Sequence, residues 1–132
     1  MGKILVVDDE EPIGAYLSRL IGTLKKTEPG QAPVPLYDVK VVLNAKDAFA
    51  ELEKNVFGLV IADLRLPDAP NTEQWISQLC QRTNGAKVVL ISGMLLSPEL
   101  EQCAKENNIL TFLSKPFELA FVKKILKDVF GE

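Results

Sequence analysis

The feature that most constrains the fold of this chain is a fivefold alternation of short aliphatic runs with segments of helical periodicity. Each run holds four or five apolar or β-branched residues, which is typical of strands buried on both faces of a parallel sheet. Helical patterns separate the runs, and one more follows the last run. The predicted strands are residues 3–7, 39–43, 59–62, 88–91 and 110–113.

The helical patterns follow the runs in order, and several of them carry a start signal. Pro12 is a favourable first-turn residue, and Asn71 with Gln74 three residues later predicts a helix N-cap. The predicted helices comprise a segment with Ile13, Leu17, Leu20 and Leu24 on one face, residues 45–53, Thr72 to Arg82, a segment after Ser97-Pro98, and a segment with Leu119, Val122, Leu126 and Val129 on one stripe.

This βαβαβαβαβα order predicts a five-stranded parallel sheet of the α/β class, doubly wound with helices on both faces. A flavodoxin-like strand order, 2-1-3-4-5, is the arrangement we expect. The segment 27–36 holds three of the eight prolines and is predicted to be an extended loop between the first helix and the second strand. The 132 residues are expected to form a single domain, 1–132.

Composition excludes several functions. The chain has no His, so neither histidine-based catalysis, His metal ligation nor phosphohistidine chemistry can occur on it. A net charge of −3 without a basic run argues against direct nucleic-acid contact. No apolar stretch reaches the ~18–20 residues that span a bilayer, and the beginning of the sequence lacks a signal peptide's apolar region. Cys80 and Cys103, the two cysteines, fit reduced thiols of a cytoplasmic protein.

Polar residues follow four of the five apolar runs. They are Asp8-Asp9, Asp63, Ser92 and Ser114-Lys115-Pro116. In open α/β sheets the carboxyl ends of the strands meet at one edge, where ligands bind. Three carboxylates there would oppose joint ionisation, and Mg²⁺ with its oxygen ligands would relieve that repulsion. With an ammonium group and a hydroxyl nearby, the set suits phosphoryl transfer to a carboxylate.

Four stretches, in order along the chain, carry a family resemblance. They are residues 4–10 (ILVVDDE), 63–67 (DLRLP), 91–93 (ISG) and 113–117 (LSKPF). Each is weak alone, but the ordered set resembles the receiver domains of two-component response regulators, including those of the chemotaxis type. The resemblance implies a phosphorelay signalling domain and not an enzyme, apart from slow acceptance and hydrolysis of its own phosphate.

The resemblance assigns the site residue by residue. Asp63 would be the phospho-acceptor, and Asp8 and Asp9 would hold Mg²⁺ with it, together with the backbone carbonyl of Arg65. The donor would be a phosphohistidine on a sensor histidine kinase or a histidine phosphotransfer protein. That partner must come in trans, because this chain has no His. The readout would pass to a downstream output protein or an attached output domain, and a homodimer formed on phosphorylation is an open alternative.

The resemblance also implies a switch. Ser92 and Lys115 would contact the phosphoryl group, and the peptide bond from Lys115 to Pro116 is cis in the family. Phe112 holds the position of an inward-swinging aromatic residue, so the surface around the fourth helix, fifth strand and fifth helix would change. Many receivers carry Tyr at that position. Arg65 and Met94 occupy positions that tune dephosphorylation in the family, with an effect whose sign stays open.

Two other functions remain open at this point. A haloacid-dehalogenase-type phosphohydrolase also uses a strand-end Asp with Mg²⁺, but it needs a second carboxylate two residues later, where this chain has Arg65. A receiver-like module that binds a partner protein without being phosphorylated is the other alternative. The acidic set and Lys115 argue against it, whereas Phe112 leaves room for it.

Overall fold

A computed structural model describes residues 2–93, 96–115 and 117–131. Its central sheet has five parallel strands, in the spatial order β2-β1-β3-β4-β5. This is the predicted 2-1-3-4-5 arrangement, so the fold prediction is confirmed. The strands are β1 (Gly2–Val7), β2 (Tyr37–Val42), β3 (Leu59–Asp63), β4 (Lys87–Ser92) and β5 (Thr111–Ser114).

Helices cover both faces of this sheet, because successive strand residues point to opposite sides. Leu5 and Val7 pack on one face with α2, α3 and α4, whereas Ile4 and Val6 pack on the other with α1 and α5. None of the helices in the described residues has the length and apolar character to cross a membrane. The helices are α1 (Glu11–Gly22), α2 (Ala45–Lys54), α3 (Thr72–Arg82), α4 (Pro98–Glu106) and α5 (Leu119–Phe130).

Local hydrogen bonds explain where the helices begin and end. The side chain of Asn71 accepts a hydrogen bond from the Gln74 amide at 3.0 Å, as the N-cap prediction requires. Leu24, however, was expected within the first helix, and the helix ends at Gly22. The hydroxyl of Thr23 donates to the Leu20 carbonyl at 2.6 Å, so the last turn is closed before Leu24.

The segment 27–36 is mostly loop, but its end differs from the prediction. Val34–Pro35 pairs antiparallel with Lys25–Lys26 in a separate two-stranded ladder. All four residues are exposed. A ladder this short and exposed tolerates a proline, which a central strand would not. The segment between α1 and β2 therefore ends in a small hairpin that is separate from the main sheet.

Candidate functional site

Two strand ends bring the predicted acidic residues together, and a third adds Lys115. Asp8 follows β1 and has no exposed surface, and Asp63 ends β3 with 8% exposed. Asp9 and Glu10 are exposed beside them. One carboxylate oxygen from each of these four residues lies within 4.8 Å of all the others. Lys115, directly after β5, contacts the same cluster. The structure thus brings residues from three separate stretches into one acidic cluster.

Backbone amides hold one oxygen of each buried carboxylate. Asp8 Oδ1 accepts a hydrogen bond from the Glu10 amide at 2.9 Å, and Asp63 Oδ1 accepts one from the Arg65 amide at 3.1 Å. The second oxygens point toward the cluster. Among the described residues Asp8 Oδ2 has no hydrogen-bond partner. Asp63 Oδ2 lies 3.5 Å from the ammonium of Lys115.

The ammonium of Lys115 lies among three carboxylates. Its Nζ donates a hydrogen bond to Glu10 Oε1 at 3.0 Å and is 3.6 Å from Asp8 Oδ2 and 3.5 Å from Asp63 Oδ2. Burial by itself lowers the pKa of Lys115, but the hydrogen bond to Glu10 and the charges of Asp63 and Asp8 outweigh that effect, and the pKa is raised. Lys115 is therefore charged and only partly neutralises the cluster.

Burial raises the pKa of Asp8 from 3.8 to about 6, and the charge of Asp63 adds to this effect. The Glu10 amide and the charge of Lys115 act in the opposite direction but do not cancel it. An ionised Asp8 is therefore costly in this site unless a further cation is present. The unpartnered Asp8 Oδ2 and the all-oxygen donor set fit a hard divalent cation such as Mg²⁺.

Ser92 is the last residue of β4 and is buried, with 8% of its surface exposed. It lies on the wall of a cavity of about 170 Å³ that Asp63, Arg65 and Thr72 also line. The backbone carbonyl of Ser92 accepts a hydrogen bond from the Lys115 amide at 3.3 Å, which connects the ends of β4 and β5. Ser92 therefore borders the same space as Asp63, the predicted phospho-acceptor.

Phe112 lies on β5 and is half-buried, packed against the cluster under α2, α3 and α4. It also lines a groove with Phe117 and Phe121 on the adjoining surface. Met94 and Pro116 lie outside the described residues, so the expectations for the Met94 side chain and for a cis bond before Pro116 stay predictions.

Two contacts to the predicted site were not anticipated from the sequence. Trp75 lies on α3 and is 1% exposed, and its indole Nε1 donates a hydrogen bond to the backbone carbonyl of Asp63 at 2.9 Å. A buried indole N–H requires an acceptor, but the sequence does not identify which one. Glu10 belongs to the stretch 4–10, but nothing in the sequence predicted its contact with Lys115, which spans 105 positions of the chain.

Comparison with known proteins agrees with the family resemblance that the sequence shows. Residues 4–127 match the family described as "Response regulator receiver domain". The response regulator protein PilR of Pseudomonas aeruginosa is 26% identical over 126 residues, which are 94% of this chain and 25% of PilR. The chain thus spans about a quarter of that relative's length.

Solved structures show the same fold. Chemotaxis protein CheY4 of Vibrio cholerae superposes with a TM-score of 0.78 at 22% identity, covering 98% of this chain and 99% of CheY4. The receiver domain of sensor histidine kinase PA1611 from Pseudomonas aeruginosa gives a TM-score of 0.73 at 20% identity over all of both chains. That structure is described with a magnesium ion coordinated in its active-site cleft.

Proposed function

The chain belongs to the response regulator receiver domain family of two-component systems, and from this membership we propose that Asp63 accepts a phosphoryl group from a partner's phosphohistidine. The observation that carries the proposal is the meeting of Asp8, Asp63 and Lys115 at one sheet edge, with Asp8 Oδ2 buried and lacking a hydrogen-bond partner among the described residues. Receiver domains are signalling domains and not classical enzymes, so the product is the phosphorylated protein itself.

Mg²⁺ is the cofactor that the donor set favours. Asp8, Asp9 and Asp63 would hold it with carboxylate oxygens, and Arg65 would add its backbone carbonyl. When bound, the ion offsets the negative charge of the carboxylates and of the incoming phosphoryl oxygens. Receiver domains bind Mg²⁺ at their acidic pocket, and the magnesium described for the PA1611 receiver domain supports the same role here.

The chain's own residues then act on the phosphoryl group. Asp63 Oδ2 attacks the phosphorus, the bond from phosphorus to the partner's imidazole nitrogen breaks, and its electron pair leaves with the imidazole. Asp63 Oδ1 stays held by the Arg65 amide, which orients the carboxylate. Lys115 binds a phosphoryl oxygen as a point charge, and the Ser92 hydroxyl donates to another. The donor is a sensor histidine kinase or a histidine phosphotransfer protein.

Phosphorylation changes the surface of the domain in this proposal. It adds about two negative charges and three acceptor oxygens to Asp63. Ser92 moves toward them, and Phe112, which is only half-buried, swings inward. The altered surface of α4, β5 and α5 then acts on an output domain or an output protein, or forms a homodimer. Homologous response regulators imply histidine kinase partners and output domains in general.

Intact-mass measurement tests the assignment. We expect the parent protein, incubated with Mg²⁺ and acetyl phosphate, to gain the mass of one phosphoryl group, and to gain none when EDTA replaces Mg²⁺. Asp63→Asn should stay unmodified, whereas Asp38→Asn, an exposed carboxylate on β2, should be labelled like the parent. Labelling of Asp63→Asn would refute the assignment of Asp63 as the phospho-acceptor.

The same experiment separates the alternatives. An unlabelled parent would favour a binding module that is never phosphorylated. Continuous release of phosphate from small phosphate esters would instead indicate a phosphohydrolase.

A further inference from the structure

The side chain of Asp68 reaches from the loop after β3 to the beginning of α2. Its Oδ1 accepts a hydrogen bond from the Ala45 amide and its Oδ2 accepts one from the Lys46 amide, both at 3.0 Å. Asn44, the N-cap residue of α2, covers the next amide, that of Asp47, at 2.7 Å. The first three amides of the helix therefore have side-chain acceptors, and two of the three come from a residue more than 20 positions away.

Asp68 is part of a tight turn that is held from both sides. The Ala69 amide donates to the Leu66 carbonyl at 3.1 Å, and these two residues form an isolated bridge. Leu64 and Leu66 are 4% and 3% exposed and pack into the core beneath the turn. Asp68 fixes the turn from the outside, with its negative charge next to the partial positive charge of the α2 N-terminus. The chain between Asp63 and Asp68 has little freedom left.

Arg65 lies inside this fixed stretch. Its amide donates a hydrogen bond to Asp63 Oδ1 at 3.1 Å, and its neighbours in the chain are the buried Leu64 and Leu66. Arg65, Leu66 and Asp9 line one shared depression on the surface. The orientation of the Arg65 peptide toward the acidic cluster therefore depends on the geometry of the turn that Asp68 anchors.

We infer that Asp68 is a positioning residue, which holds the Arg65 backbone carbonyl in the direction of the bound cation by clamping its loop to the N-terminus of α2. The inference rests on the proposed function, because it takes the Arg65 carbonyl as a Mg²⁺ ligand. Residues that orient metal ligands typically change metal affinity by about 10- to 100-fold when they are removed. We expect Asp68→Ala to weaken Mg²⁺ binding by about tenfold, at the lower end of that range, because three carboxylates of the site remain.

Asn44→Ala is the matched control, since it removes an acceptor from the same helix N-terminus and leaves the loop untouched. Asp68→Asn is a milder variant that keeps one acceptor oxygen. It provides a folded protein for comparison should Asp68→Ala fail to fold. The three variants and the parent would be titrated with MgCl₂ by isothermal calorimetry, with urea unfolding measured in parallel. Amide exchange by NMR at Ala45 and Lys46 would report whether the clamp is lost.

We expect the Mg²⁺ dissociation constant to rise in the order parent, Asp68→Asn, Asp68→Ala, with Asn44→Ala equal to the parent despite a similar loss of stability. Phosphorylation of Asp68→Ala by acetyl phosphate should recover at saturating Mg²⁺. An unchanged affinity in Asp68→Ala, or an equal loss in Asn44→Ala, would overturn the inference while leaving the proposed function intact. A parent that binds no Mg²⁺ would refute the metal site itself, and the inference with it.

Discussion

Replacement of Asp8 by Asn should stabilise the metal-free protein. The carboxyl of Asp8 has no exposed surface, and its Oδ2 lacks a hydrogen-bond partner among the residues described. At neutral pH it is nevertheless ionised, and it lies beside a second carboxylate, that of Asp63. Asn has nearly the same shape, carries no charge, and keeps the oxygen that accepts the Glu10 amide. The substitution therefore removes the cost of the charge and little else.

The magnitude follows from the pKa of Asp8, which is raised from 3.8 to about 6, mainly by burial. At about 1.4 kcal/mol for each pKa unit, the ionised carboxylate destabilises the folded chain by up to about 3 kcal/mol. Asn would place its amide group near the ammonium of Lys115, which offsets part of the gain. We expect the unfolding free energy of Asp8→Asn to exceed that of the parent by about 1–3 kcal/mol at neutral pH.

The sign of the pH dependence is fixed by the direction of the shift. Because the folded pKa lies above the unfolded one, the folded state holds its proton more tightly. Below pH 3.8 Asp8 is protonated in both states and does not destabilise the parent. The free energy of unfolding of the parent then falls as the pH rises from 3.8 through about 6. Asn does not titrate, so the advantage of Asp8→Asn should vanish at about pH 4 and be complete above about pH 7.

Urea unfolding in EDTA, followed by far-ultraviolet circular dichroism at several pH values, measures this difference. Asp38→Asn, an exposed carboxylate on β2, is the control and should stay close to the parent. With Mg²⁺ at about 100 times its dissociation constant, the parent should gain about 2.7 kcal/mol and Asp8→Asn much less. Equal or lower stability of Asp8→Asn in EDTA at neutral pH would refute the reasoning, as would an advantage that does not depend on pH.

Three further substitutions test the packing of α1 and of the residue that contacts the Asp63 backbone. Gly14→Ala should destabilise by about 1–3 kcal/mol in urea unfolding, because its Cβ would lie 2.6 Å from a methyl carbon of Val41. Gly22→Ala in the same helix has no atom within 4 Å and should instead stabilise by about 0.5–1 kcal/mol; equal effects at both positions would contradict the packing argument. Trp75→Phe should cost about 2–4 kcal/mol, because it leaves the buried carbonyl of Asp63 without its indole donor and opens a small void. A loss below about 1 kcal/mol, measured by circular dichroism, would mean that the hydrogen bond contributes little.

The features of the site that could be predicted are those formed by residues close together in the sequence. Asp8 and Asp63 each accept a hydrogen bond from the amide two residues later, so the turn that ends each strand also orients its carboxylate. The strands themselves are continuous apolar runs, and their parallel pairing follows from the helices between them. Strand ends, turns and acidic residues could therefore be located from the sequence, and the meeting of the carboxylates followed from the fold.

The contacts that were not anticipated join distant positions. The indole of Trp75 reaches Asp63 across 12 positions, Asp68 reaches Lys46 across 22, and Lys115 reaches Glu10 across 105. Each depends on how two separately predictable elements approach each other, and periodicity carries no information about that approach. The ends of elements were displaced for a related reason, since the hydroxyl of Thr23 closes α1 before Leu24 although Leu24 keeps the apolar spacing.

These long-range contacts give the site one fixed side and one adaptable side. On the α2 and α3 side, Trp75 holds the Asp63 backbone and Asp68 clamps the following loop to α2. On the other side, Phe112 is only half-buried, and Lys115 donates its hydrogen bond to Glu10, which is exposed. A charge added to Asp63 can therefore draw Lys115 away from Glu10 at little cost, whereas movement toward α3 would break buried contacts. We accordingly expect phosphorylation to move the β4–α4 and β5–α5 side of the sheet and to leave α2 and α3 in place.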